Sequence, residues 1–124
     1  WFKNAFSLLY LPATCNMRCT DILRSYVALN ILKKNNKKIL FKGTDIIQNR
    51  NIHNLFNDYE QELLLYFNSK KIFKKLEKLN LPKGEKNYCN NLIVSYKLLS
   101  KFNIVKKNEI KFLYSWIKDI KKII

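Results

Sequence analysis

A chain of 124 residues, 48% of them hydrophobic and with a formal charge of +15, is long enough to bury roughly two-thirds of its unfolded surface as one domain or as a piece of a larger one. No run reaches the about 18 consecutive apolar residues of a membrane-spanning helix. The positive charge points first to nucleic acid or an anionic surface. Against that, Lys, Asn and Ile, whose codons are built from A and T, supply 51 of the 124 residues, and the lysine pairs are scattered from 33–34 to 121–122. A solvated lysine coat follows, which argues against nucleic acid as a partner.

The start at Trp1, without an initiating Met, leads us to expect a piece of a longer protein. Cys15, Cys19 and Cys89 are odd in number, and no His or Cys set completes a zinc pattern around them. Reduced thiols are expected, and with them a reducing compartment, the cytoplasm being favoured.

In chain order, the apolar run "FSLLYL" at 6–11, ended by Pro12, reads as a short buried strand. A loop containing Arg18 follows. Thr20 is a suitable N-cap, and Ile22, Leu23, Tyr26, Val27, Leu29, Ile31 and Leu32 cover enough of the circumference to predict a largely buried helix with Asp21 in its first turn. After "KKNNKK", the run "ILF" at 39–41 reads as a second strand and Gly43 as a bend, followed by a polar, irregular stretch at 44–54. The next helix carries Leu55, Phe56, Tyr59, Leu63 and Tyr66 on one face, and another is expected to begin at a Ser69 cap with Ile72, Phe73, Leu76 and Leu79.

"NLPKGEKN" at 80–87 is the clearest linker. Beyond it, Tyr88, Leu92, Tyr96 and Leu99, then Ile110, Leu113, Tyr114, Ile117, Ile120 and Ile124, form the stripes of a helical hairpin, with Asn103 as a left-handed cap and Ile104 folding back. The stripes read as packing surfaces. The expected fold is mainly α with two short strands, divided into 1–80 and a hairpin, 81–124, packed on it. Two short strands make no stable sheet by themselves, so upstream sequence is expected to complete it.

A single histidine, His53, removes most metal-hydrolase and triad schemes, and no phosphate loop, dinucleotide fingerprint or CxxC is present. What remains is a polar set in two loops: Arg18, Asp21 and Arg24, with Tyr26 a further candidate, then Gln48, Asn49, Arg50, Asn51 and His53. If the strands are parallel, both loops lie at their carboxyl ends, where α/β sheets bind ligands. An arginine fork suits phosphate oxygens, and a carboxylate at a helix start suits a sugar hydroxyl, as acceptor or as base. The alternative is purely structural, with Asp21 as a capping acid paired to Arg18 or Arg24.

"LYLPATCNMRCTDILRSYVAL" resembles the STELLO-type glycosyltransferase family, in which Leu-Pro and a short loop lead to Arg, then Ser or Thr, then Asp-Ile-Trp-Arg-Ser/Gly-Tyr. The matching residues are Leu11, Pro12, Arg18, Thr20, Asp21, Ile22, Arg24, Ser25 and Tyr26, with Leu23 in place of the tryptophan. "QNRNIHNLFNDYEQELLLYF" is similar to a second stretch of that family at Gln48, Arg50, Asn51, His53, Asn54, Leu55, Asp58 and Glu62. The closing "NEIKFLYSWIKDIKKI" is similar to its last helix at Trp116 and Asp119.

The resemblance implies the C-terminal portion of a GT-A-type α/β domain, distantly similar to the UDP-arabinopyranose mutases, acting on a nucleoside-diphosphate sugar, with UDP-sugars the favoured donor class, and an unknown acceptor. It implies Asp21 as the catalytic carboxylate near the sugar, with Arg18, Arg24, Gln48, Arg50 and His53 binding substrate. A divalent metal, Mn or Mg, is implied for the whole enzyme. No Asp-x-Asp occurs here, so its ligands are expected upstream, and this piece is expected to be inactive alone. Two other readings stay open: a small basic helical module for nucleic acid or an acidic partner, and a non-catalytic glycosyltransferase relic.

Overall fold

The computed structural model describes residues 1–49, 52 and 54–123. A 3₁₀ helix, Lys3–Leu9, and a short one, Met17–Cys19, lead into α1, Thr20–Lys34. Then come α2, Leu55–Glu77, a 3₁₀ turn, Glu85–Asn87, α3, Tyr88–Lys101, and α4, Glu109–Ile120.

There is no strand among the described residues, which overturns the expectation of two strands and of a GT-A α/β fragment. The run at 6–11 falls in the first 3₁₀ helix and its exit, with Leu8 and Tyr10 buried. A short apolar run has the same composition as a strand or as a buried turn of helix, and periodicity alone does not separate them. Residues 39–41 have no regular structure, and Leu40 and Phe41 are 83% and 89% exposed. With no neighbour to complete its hydrogen bonds, an isolated three-residue run gains nothing by being a strand. Among the described residues, the parallel-strand edge that was to hold both polar loops therefore does not exist.

α3 is the central element, packing against α1, α2, α4 and the first 3₁₀ helix. Its predicted stripe is buried in full at Tyr88, Leu92, Tyr96 and Leu99. Leu23, Val27 and Ile31 of α1, Ile72 and Leu76 of α2, and Leu113 and Ile117 of α4 join it in one cluster. One core therefore runs across residue 80. In α4 the stripe holds at Leu113, Ile117 and Ile120, whereas Tyr114 faces solvent; Ile124 lies outside the described residues.

α1 and α3 end alike. Asn36 and Asn103 adopt left-handed conformations, φ 55° and 57°. Lys37 N donates to Leu32 O and Ile104 N to Leu99 O, both at 3.0 Å, closing a Schellman motif at each end. The asparagine predicted at 103 thus turns the chain, and buried Ile104 folds back onto the core.

α2 is one helix, not two. Ser69 lies inside it, with no Gly or Pro between Leu55 and Glu77 to stop it, and an interior serine costs only about 0.5 kcal/mol against alanine. Its start is fixed by Asn54, whose side chain accepts from Phe56 N at 3.0 Å and Asn57 N at 3.3 Å. No helix among the described residues is long and apolar enough to cross a membrane.

Candidate functional site

The segment from Tyr10 to Arg24 enters α1 through a loop held at both ends. At the first end stands Glu109, in the first turn of α4 and fully buried. Its carboxylate accepts from Ala13 N at 3.0 Å, from Thr14 N at 2.8 Å, and from the hydroxyls of Tyr10 and Thr14. Thr14 Oγ1 in turn accepts from Lys106 N at 2.9 Å. The Tyr10 ring meets Tyr96 edge-on at 5.2 Å, and Trp116 closes the same corner by donating Nε1 to Ser7 O at 3.0 Å.

All four donors around Glu109 come from residues 10–14, so this carboxylate fastens the loop to α4. Sequence reasoning missed it. An acid opening a helix is ordinarily a solvated dipole partner, and only tertiary structure brings the loop, some 95 residues away in sequence, onto it.

At the second end, Arg18 Nε donates to Asp58 Oδ1 at 2.8 Å while the other arm of the fork meets Oδ2. The Arg18 partner is thus the first turn of α2, not Asp21, and the structural pairing considered for Asp21 does not form. Both side chains are partly buried, 35% and 18% exposed, which places the pair between surface and buried cases. Arg18→Ala and Asp58→Ala combined in a double-mutant cycle are expected to show a coupling of about 1 kcal/mol in urea unfolding.

Asp21 is exposed in the first turn of α1, where its Oδ1 accepts from Ile22 N at 2.9 Å. Among the described residues no ion pair engages it. Thr20, expected as the N-cap, is the first helical residue and donates its hydroxyl to Met17 O at 2.9 Å. Arg24, three residues on and so beside Asp21 on the helix surface, is half-buried. Its Nε is buried with no hydrogen-bond partner, and its guanidinium lies 5.9 Å from the centre of the Trp1 ring. Trp1 also lines a groove of about 720 Å³ bounded by Phe2, Lys37, Lys38 and Tyr88.

Gln48 lies exposed in the irregular segment after α1, with no hydrogen bond or ion pair among the described residues joining it to this edge. Arg50 and His53, predicted to bind substrate, lie outside the described residues. Among the described residues no three His, Cys, Asp or Glu side chains converge as a cation site requires.

Burial pushes the Tyr10 and Tyr96 hydroxyls well above the ordinary tyrosine range, with Glu109 adding to both, and pushes the Cys15 thiol up to about 12, with Cys19 and Glu109 adding. Each folded-state pKa exceeds its unfolded value. The stability these groups contribute is therefore complete below the unfolded thiol value near 9 and is lost as pH rises towards 12, because the unfolded chain ionises first. Chemical denaturation is expected to show stability falling with pH in that window, with a shallower slope for Cys15→Ala.

A family described as STELLO glycosyltransferases matches residues 18–124, from Arg18 to the end of the chain. No curated protein and no solved structure matches.

Proposed function

Because the chain belongs to the STELLO glycosyltransferase family, we propose that it forms the acceptor-side part of an enzyme that transfers, or rearranges, a sugar from a nucleoside-diphosphate donor, UDP-sugars being the class adopted. The observation that carries this reading is Asp21, exposed and without an ion pair among the described residues at the start of α1, with Arg24 one turn further on.

In this scheme Asp21 accepts a hydrogen bond from a sugar hydroxyl and takes its proton as the new bond forms. Arg24, whose Nε is left unpaired, turns its fork to the departing diphosphate, where developing negative charge gains most from a fixed cation. Arg18, tied to Asp58, acts as a positioning residue that fixes the entry to α1. Gln48, Arg50 and His53 are the further substrate-binding residues of the scheme.

No step runs through a metal ion. The described residues do not fit one, and a divalent cation on the donor diphosphate, Mn or Mg, would be held by sequence beyond them. Three free thiols, Cys15, Cys19 and Cys89, support a reducing compartment, and the cytoplasm is the one adopted.

The test is Asp21→Asn in the full-length protein, assayed for sugar release and transfer from UDP-sugars. Turnover near wild type with the fold intact would remove Asp21 from the scheme. Binding of nucleic acid that falls steeply with salt, with no turnover by the wild type, would favour the basic-module reading instead.

A further inference from the structure

The face of α2 marked out by Phe56, Tyr59, Leu63 and Tyr66 has a packing pattern, yet nothing among the described residues covers it. α2 docks through Leu65, Ile72 and Leu76. Elsewhere on the helix, Phe56, Tyr59, Tyr66 and Phe67 are 87%, 53%, 61% and 79% exposed. Phe56, Glu60, Leu63, Phe67, Lys70 and Lys74 follow one another at alternating steps of four and three residues, the spacing of a coiled-coil seam.

Apart from Glu77 at its end, which pairs with Lys33, the charges on this helix are segregated. Asp58, Glu60 and Glu62 lie in its first third, and Lys70, Lys71, Lys74 and Lys75 follow the apolar centre. No ion pair among the described residues engages Glu60 or Lys70. Turned end for end about residue 65, the seam matches itself. Glu60 then faces Lys70, Leu63 faces Phe67, and Phe56 lies along the alkyl stem of Lys74.

We propose that this face binds a second copy of the chain, two α2 helices packing antiparallel about a two-fold axis. Such an interface is isologous, so each complementary pair occurs twice. Four aromatic side chains of about 200 Å² each, scaled by their exposure, offer roughly 550 Å² per protomer, and two protomers together reach about the 1,000 Å² that a specific interface needs. The surface elsewhere is a lysine coat, which repels a second copy. The acidic third of α2 is where a basic segment of an identical chain is attracted, and the charge order selects the antiparallel arrangement over the parallel one.

The experiment is sedimentation equilibrium of the protein over a wide concentration range, with Glu60→Lys, Lys70→Glu and the double exchange. Wild type is expected to show a monomer–dimer equilibrium. Each single exchange places like charges at both ends of the interface and is expected to raise Kd about tenfold or more, whereas the double exchange restores it to within about threefold. Both positions face solvent, and far-UV circular dichroism checks that each variant folds. A monomer at every concentration overturns the proposal and leaves the face to a different partner. A dimer indifferent to both exchanges, or one the double exchange fails to restore, overturns the antiparallel α2 interface.

Discussion

Glu109→Ala is expected to lower the stability of the fold by about 3–5 kcal/mol, because two backbone amides and two hydroxyls lose their acceptor at about 1–3 kcal/mol for each one left unsatisfied, offset by water reaching the part-buried ones and by the relief of the buried carboxylate's own desolvation. The wild-type carboxylate accepts from two backbone amides and two hydroxyls within residues 10–14. Alanine removes every acceptor at once. The Ala13 and Thr14 amides are part-buried and are left to water, whereas the Tyr10 hydroxyl sits in a buried corner against Tyr96 and Trp116. Tyr10→Phe removes one donor and leaves three, so a loss of about 1 kcal/mol is expected, the net worth of a single hydrogen bond. Urea unfolding followed by far-UV circular dichroism measures both. Since domains of this size are stable by about 5–15 kcal/mol, that loss is a large share of the total, and the alanine variant is expected to melt at a markedly lower temperature. A loss below about 1 kcal/mol for Glu109→Ala would show that the loop is held mainly by packing.

The helical hairpin was legible because its signals are local. Tyr88, Leu92, Tyr96 and Leu99 repeat at helical spacing and all are buried, and Asn103 supplies the left-handed turn that follows. The strands were not, because a strand exists only by virtue of a neighbour that the run itself does not name. The stripe expected in the first part of α2 is not the side that packs: Leu55, Phe56, Tyr59 and Tyr66 face solvent, and Leu65, Ile72 and Leu76 take the core side, because periodicity marks an apolar face without saying what lies against it.

The candidate site divides the same way. Asp21 falls in the first turn of α1, as the spacing required. The Arg18 partner, Asp58, is 40 residues away, and Glu109 is further still. Contacts at such separations follow from the packing of α1, α2 and α4, so the pattern around each residue carries no trace of them.

On the proposed scheme, Asp21→Asn is expected to cut sugar-transfer turnover by about 10²–10⁴-fold, the loss that follows removal of a general base, while leaving the fold almost unchanged. The separation of the two effects rests on the surroundings of the residue. Asp21 is exposed, and the one hydrogen bond its carboxylate accepts among the described residues, from Ile22 N, can be kept by an asparagine oxygen. The lost charge at the start of α1 costs at most about 1 kcal/mol of helix-dipole stabilisation. An asparagine can still orient a hydroxyl but cannot take its proton, so kcat is expected to fall far more than KM rises. Arg24→Lys tests the neighbouring role. A lysine keeps the charge but loses the planar fork that grips two phosphate oxygens, so weaker donor binding is expected to dominate there. If Asp21→Asn instead raised KM and spared kcat, Asp21 would be a binding residue, and the proton would have to leave through a group beyond this edge.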